Sequence, residues 1–348
     1  MDSKRTRVAV VLNGNAKSLN EAVRETIDSI IEAGDLFVSR SVDEVEEIAQ
    51  TVLARGYSTV LIGGGDGTFT TVVSGILRQA RLRKQPAPRF AMLRLGTGNA
   101  LAWVVGASAP NDTGALLADI DRIRSDAGSR SLRLIESEGI FAPFCGLGMD
   151  AEILNDFTRF KSRLPFPRRW IGGFRAYAAS VAVSSLPKQL VRAPRYVRIV
   201  NIGATAYRMS NDAPTDSYQT GEVIFEGTAR LVSASTIPYY GFGFRVFPFA
   251  DVDSTRMNLR ISSIGALEFF RNTRAIWRGD YRNTQSLSDF LVEAVRVDVD
   301  PATQFHIGGE MIGQRSSLEL ALSPDSIELA DFYLPPNGTR APAESDEF

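Results

Sequence analysis

Thr59-Val60-Leu61-Ile62-Gly63-Gly64-Gly65-Asp66-Gly67-Thr68 joins a short apolar run to a cluster of glycines, and Thr68–Leu82 beyond it is patterned as a helix. A buried strand, a glycine turn and a helix in that order make one βα unit. Glycines at such a turn let backbone N–H groups approach a phosphate, and the helix N-terminus adds favourable partial charge. The loop is not a dinucleotide fingerprint, because Thr70 stands where G-x-G-x-x-G starting at Gly65 needs its last glycine. Nor does the chain have a P-loop: Gly14-Asn15-Ala16-Lys17-Ser18 carries Ala16 where glycine must precede the lysine. Asp66 is the unusual residue. A bare carboxylate repels phosphate, so its place in the loop points to a bridging Mg2+ or to a hydroxyl donor. The plain alternative is a tight turn with an aspartate N-cap.

The same grammar repeats on both sides. Val8–Leu12 leads to Asn13-Gly14-Asn15 and a helical pattern over Leu19–Ala33. Leu36–Val38 reads as a strand and Asp43–Arg55 as a helix; Phe90–Leu95 is a strand ending in Gly96-Thr97-Gly98-Asn99, where a helix over Asn99–Val105 begins. Alternating strands and helices with short connections predict a Rossmann-like, mostly parallel sheet with helices on both faces. The carboxyl ends of its strands share one crevice, so Asn13, the Gly63 loop and the Gly96 loop predict a nucleotide-phosphate site. Beyond about Arg130, β-rich runs dominate: Leu132–Glu136, Tyr196–Ile202, Ala229–Thr236, Met257–Ser262, Val295–Val299 and Leu318–Leu322. Helical patterns interrupt them at Gly172–Ser185 and Leu267–Trp277. The expected organisation is an α/β nucleotide-binding domain over 1–130, completed by 325–335. A mostly antiparallel, β-sandwich-like substrate domain follows over 131–325, then a loose tail over 336–348.

Composition narrows the chemistry. At 348 residues, 44% hydrophobic and 23% charged, the chain can build about two cores. A formal charge of −1 gives no global field toward nucleic acid, and none is expected as a partner. The lone cysteine, Cys145, excludes an intramolecular disulfide, and the lone histidine, His306, excludes Zn–His clusters and most Ser–His–Asp triads. Catalytic acids and bases are therefore expected among the carboxylates. The longest apolar runs fall well short of a membrane span or a signal-peptide core, so a cytoplasmic protein is expected.

The Gly-Gly-Asp-Gly-Thr and Gly-Thr-Gly-Asn pair, one βα unit apart, resembles the diacylglycerol kinase catalytic-domain family, which includes bacterial diacylglycerol kinases, sphingosine kinases and ceramide kinases. The resemblance continues at Gly146-Leu147-Gly148-Met149-Asp150-Ala151-Glu152, similar to the family's G-x-G-F-D-A-E segment. It resumes over Pro248–Leu259 and ends at Gly308-Gly309-Glu310, where the family usually reads D-G-E. It implies ATP-dependent phosphorylation of a lipid hydroxyl in phospholipid metabolism, with nucleotide between the two domains. By position it places Asn13, Ser39, Gly64, Gly65, Gly67, Thr68, Gly96, Thr97 and Asn99 on the nucleotide. Asp66 falls on the phosphates and their Mg2+, Asp150 on the lipid substrate, Glu310 as general base, and Asp253 at a second metal.

Four departures from the family pattern stand out: Thr70 and Thr71 in place of Asn-Glu, Ala100 in place of Asp, Gly308 in place of Asp, and Ser254 at a metal-associated D-G pair. Ala100 resembles the sphingosine kinase variant and tilts the acceptor toward a sphingoid type. Phe157–Tyr177 carries six basic residues, no acidic one and six aromatics, a composition suited to peripheral contact with an anionic inner-membrane face, with a packed loop-helix as the plain alternative. Tyr239–Phe249 holds six aromatics among glycines, fit for an acyl-chain cleft or for β-core packing. His306 reads as a space-filler more than a base. The reading is an ATP·Mg2+-dependent lipid kinase. Rivals are an NAD kinase-like enzyme and an inactive lipid-binding regulator; oligomeric state, including a homodimer, is left open.

Overall fold

The computed structural model describes residues 7–14, 34–96, 98–108, 113–124, 128–152, 193–210, 212–283, 285–335 and 338–340. The chain divides into two compact units. Among the described residues, the first holds those up to 132, 139–141 and those from 325 to 340; the second holds 133–138 and 142–324.

In the first unit, β1 (Val8–Asn13) lies between β2 (Leu36–Ser39) and β3 (Thr59–Gly64), and β3 pairs onward with β4 (Arg89–Arg94), all parallel. Val8 to Leu12 and Thr59 to Gly64 are buried throughout, as expected of parallel strands covered on both faces. Helix α1 (Val42–Arg55) buries Val45, Ile48, Ala49, Val52 and Leu53 along one stripe. Its start is closed by its own side chains. Ser41 Oγ accepts the Glu44 N–H, and the Glu44 carboxylate reaches back to the Arg40 N–H at 2.6 Å. Gly56, in the left-handed region, ends it. Helix α2 (Asp66–Arg83) follows β3, α3 (Ala100–Val105) follows β4, and α4 (Thr113–Arg124) leads out of this run. The Leu19–Ala33 helix lies outside the described residues.

β5 (Ser129–Ser137) begins in the first unit and ends in the second, and β6 (Ile140–Ala142) lies mainly in the first. The second unit continues with β7 (Phe144–Gly148), β8 (Arg195–Asn201), β9 (Ala206–Ser210), β10 (Ala213–Tyr218), β11 (Val223–Ala229), β12 (Leu231–Ser235) and β13 (Met257–Ser262). Helix α5 (Ala266–Arg278), β14 (Leu287–Val292), β15 (Ala294–Ile307), β16 (Glu310–Ala330) and β17 (Thr339–Arg340) complete the chain. One antiparallel series runs β10-β9-β14-β13-β12-β7 and continues into residues 305–307 of β15. A second runs β11-β8 into residues 295–300 of β15. The β15–β16 hairpin thus changes partners where its register slips between Asp298 and Thr303, the device by which one strand serves two sheets. Thr339–Arg340, within the stretch expected to be a loose tail, pairs parallel with Ser129–Arg130. Among the described residues no helix is long and apolar enough to cross a membrane.

Candidate active site

In the first unit the order β2-β1-β3-β4 places the change of winding direction at β1 and β3, whose carboxyl ends open the ligand crevice of such sheets. Asn13 ends β1 and donates from Nδ2 to Thr68 Oγ1 at 2.9 Å, tying that strand end to the first turn of α2. Ser39, buried at the end of β2, accepts the Gly14 N–H on its carbonyl at 2.9 Å. A Cβ at Gly64 would stand 2.5 Å from Thr68 Cβ, so only glycine admits this turn. The N-cap of α2 is Gly65, and no side chain caps it. Unlike α1, this 18-residue helix has no side chain on its N-cap residue, so among the described residues its first N–H groups are served only by the Asp66 carboxylate, which turns mainly to the neighbouring loop.

The second loop is pressed against the first. A Cβ at Gly96 would fall 2.2 Å from the Gly65 Cα, so the two glycine loops meet backbone to backbone. Asn99 sits in the left-handed region (φ 52°), which asparagine tolerates better than most residues. Its amide closes the loop by accepting the Gly96 N–H and donating to the Gly96 carbonyl. Asp66 then bolts the loops together. Its Oδ2 accepts the Ala100 N–H at 2.9 Å and its Oδ1 the Leu101 N–H at 3.2 Å. Burial pushes its carboxyl up, opposed by backbone N–H groups of Ala100, Leu101, Asn99 and Asp66 itself. Asp66, expected to face phosphates and Mg2+, thus caps the helix of the neighbouring loop, because that helix starts within its reach and has no side-chain cap from its own N-cap residue. Thr97 lies outside the described residues.

Arg94, which sequence reading passed over, lies at the end of β4 with its guanidinium 4.6 Å from the centre of the Trp103 ring. A basic residue two positions before Gly96 was the available signal. Of the departures, Thr70 is buried, and the Thr71 hydroxyl donates to the Gly67 carbonyl within the helix.

In the second unit, Ile307 and Glu310 pair across Gly308-Gly309, both with positive φ (57° and 86°). That is the backbone of a two-residue hairpin turn, for which Asp-Gly and Gly-Gly are alternative solutions. Gly308 therefore keeps the turn and removes only a carboxylate. Glu310 follows it with no partner among the described residues; its surface is exposed, and the protein atoms crowded around its carboxyl push that group up.

Asp150 is enclosed in a polar network. Gly146 on β7 faces Ser233 on β12 and His306 on β15, and a Cβ at Gly146 would stand 1.8 Å from Asp150 Oδ2. The missing side chain leaves the hole that this carboxylate fills. Its Oδ2 accepts from Ser233 Oγ at 2.6 Å and Tyr240 OH at 3.1 Å and lies 3.2 Å from His306 Nε2; Tyr240 OH and His306 Nε2 are 2.6 Å apart. Oδ1 accepts the Ala151 N–H. Asp150, expected to meet substrate, is held through Oδ2 by this network, while Oδ1 takes only the Ala151 N–H among the described residues. His306 is no mere filler; it is a buried member of this network, with Nδ1 unpaired among the described residues.

Asp253, expected at a second metal, is fully buried and accepts from Thr255 N and Oγ1 and from Arg256 Nη1. Those bonds, above all the Thr255 hydroxyl and amide, outweigh burial and lower its carboxyl; the guanidinium occupies a cation's place. Among the described residues no three His, Cys, Asp or Glu side chains cluster as a metal site. The aromatic run divides its work: Phe247 and Phe249 are core, Tyr240 joins the network, and Phe244 stacks on Trp277. Phe157–Tyr177 lies outside the described residues.

Residues 7–128 match the diacylglycerol kinase catalytic domain. A YegS-like lipid kinase of Pseudomonas aeruginosa is 34% identical over 119 residues, 33% of this chain and 37% of that protein. Human diacylglycerol kinase theta is 33% identical over 127 residues, 30% of this chain and 13% of that protein. The chain thus matches little more than a third of the bacterial relative and about an eighth of the human one. A diacylglycerol kinase structure from Bacillus anthracis superposes over 95% of this chain and 98% of its own at a TM-score of 0.57 and 14% identity, a likeness of fold. By sequence over residues 7–128, and by fold over nearly its whole length, the chain is similar to the diacylglycerol kinase catalytic-domain family of lipid kinases.

Proposed function

We propose that the chain is an ATP-dependent lipid kinase that transfers the γ-phosphoryl group of ATP to a hydroxyl of a lipid alcohol: diacylglycerol, a sphingoid base, ceramide or a relative. The observation that carries this is the α2 N-terminus, without a side-chain cap among the described residues, wedged against the Gly96 loop. Backbone N–H groups and the helix dipole there offer a phosphate-sized cradle. Asn13, Ser39, Gly64, Gly65, Gly67, Thr68, Gly96, Thr97 and Asn99 take the nucleotide, and Asp66 holds the two loops in register. Glu310 accepts the hydroxyl proton as the oxygen attacks the γ-phosphorus, and the bond to ADP breaks. Mg2+ enters as the counter-ion of the ATP substrate, since the residues around Asp253 do not fit a resident cation.

A second reading, a lipid-binding regulator without turnover, is favoured by Gly308, which leaves the turn before Glu310 without a carboxylate. Turnover of ATP against diacylglycerol, sphingosine, ceramide and NAD separates the possibilities. Lipid-dependent ADP release is expected. Lipid binding without ADP release supports the regulator, and NAD-dependent release sinks the lipid reading.

Gly96→Ala tests the cradle directly. Its new Cβ forces the Gly65 backbone away, and a misplacement of about 1 Å at a reacting centre can cost on the order of 10²-fold. We expect kcat/KM for ATP to fall by about that factor, with far-UV circular dichroism unchanged. Unaltered kinetics would remove these loops from nucleotide binding.

A further inference from the structure

Helix α5 crosses from β13 to β14, and its inner side is anchored. Ile276 is buried, and Glu268 accepts from Tyr281, Asn283 and Ser286 of the following loop. The outer side is of another character. Leu267, Arg271, Arg274 and Arg278 are all exposed and recur at intervals of four, three and four residues, a single stripe on a helix of 3.6 residues per turn. Trp277, beside the stripe, is 50% exposed, and Leu267 is 57% exposed.

The charges on this face are unbalanced. Arg245, Arg271, Arg274 and Arg278 are exposed, and none has a carboxylate partner among the described residues. The stripe itself carries no acidic residue; Glu268 is turned to its own loop, and Asp280 lies beyond the helix end at Gly279. In a chain of formal charge −1, four unpaired guanidinium groups on one side are a local excess.

The apolar groups among them are rigidly presented. Trp277 donates its Nε1–H to the Gly243 carbonyl at 3.0 Å and stacks on Phe244 with ring centres 5.7 Å apart. The Arg245 N–H donates to the Trp277 carbonyl, closing the loop on the helix end. With its one polar group satisfied inside the protein, the exposed part of the indole is purely apolar, the condition under which tryptophan settles at a lipid–water boundary.

We infer that the outer face of α5, with the Phe244–Arg245 loop, docks on an anionic bilayer surface: the four arginines meet lipid phosphates while Leu267 and Trp277 enter the interface. A polyanion such as nucleic acid satisfies the arginines but leaves Leu267 and Trp277 without a role. A bilayer uses both. The preference for a bilayer also rests on the lipid-kinase reading, whose acceptor resides in one. The inference uses no residue of Phe157–Tyr177.

Sedimentation of the full chain with vesicles tests the inference. Vesicles of phosphatidylcholine and phosphatidylglycerol at about 3:1 are compared with phosphatidylcholine alone, since each arginine at an anionic surface multiplies partitioning about fivefold. Wild-type protein is expected to sediment with the anionic vesicles only, less so at high salt. R271E/R274E should lose about 25-fold or more of that partitioning, and L267N should weaken binding at low and high salt alike. R271Q/R274Q, with the melting temperature recorded, replaces the reversal if that variant folds poorly. Anionic-vesicle binding unchanged in a folded variant overturns the assignment, as does wild-type protein that ignores the vesicles but shifts a DNA duplex. ADP release with a short-chain, water-soluble acceptor keeps the two readings apart. That activity should be equal in wild type and R271E/R274E, and its absence from both, with vesicle binding intact, overturns the kinase reading alone.

Discussion

Replacing Glu310 with glutamine is expected to lower kcat by about 10²–10⁴-fold, the range for loss of a positioned general base, with ATP binding little changed. A lipid alcohol is a weak nucleophile, and glutamine keeps the shape of the acceptor but cannot take the proton. The environment of Glu310 adds two checks. Desolvation raises its carboxyl, so the acid limb of the kcat profile should lie above the usual glutamate range and vanish in the variant. A carboxyl raised on folding binds more protons in the native state, so its contribution to stability is present at low pH and is lost as pH rises through the raised value. Glu310 is exposed to solvent, so screening keeps this contribution small, and the melting temperature should change little in the glutamine variant. A folded, slow enzyme is the expected outcome; full activity would remove Glu310 from the chemistry. His306→Gln is the contrasting control. It disturbs the Asp150 network at a cost of about 1–3 kcal/mol and should lower the melting temperature far more than kcat.

Asp66→Ala is expected to reduce kcat/KM for ATP by about 10²-fold and to lower stability by about 1–2 kcal/mol. Both effects have one origin. The substitution leaves the Ala100 and Leu101 N–H groups without their acceptor and releases the Gly96 loop from the first turn of α2. Asp66→Asn keeps one acceptor oxygen and turns an NH2 toward the other N–H, so it should fall between wild type and alanine in both measurements. Isothermal titration with ATP and a thermal melt on the same samples decide the matter. Intact stability with abolished turnover would place the carboxylate on the reacting groups. Intact binding and intact stability together would contradict the clamp.

Much of the first unit was legible because its determinants are local. Apolar runs of strand length, glycines at their carboxyl ends and helical periodicity after them specify βα units whatever surrounds them, and Val8–Asn13, Thr59–Gly64 and Arg89–Arg94 form where the pattern places them. The boundary of α2 shifted by two residues, because Asp66 and Gly67 belong to the helix once Gly65 serves as its cap. The turn at Gly308-Gly309 was equally local, since positive φ at two successive positions is a demand that glycine meets without cost.

The partners of the polar side chains were not legible. Asp66 reads identically in sequence whether it faces a phosphate or the N–H groups of Ala100 and Leu101, 34 and 35 residues away. Asp150, Ser233, Tyr240 and His306 are scattered over more than 150 residues, and only the pairing of β12, β7 and β15 brings them to one oxygen. Asp253 looks like a metal ligand until Arg256 folds onto it. By itself the chain's sequence determined the βα framework, the two glycine loops and the family they resemble, because backbone preference and hydrophobic period act over a few neighbouring residues. Tertiary structure alone decided which carboxylates are spent in hydrogen bonds and which, like Glu310, have no partner among the described residues, because a hydrogen bond depends on atoms about 3 Å apart in space and not on their separation along the chain.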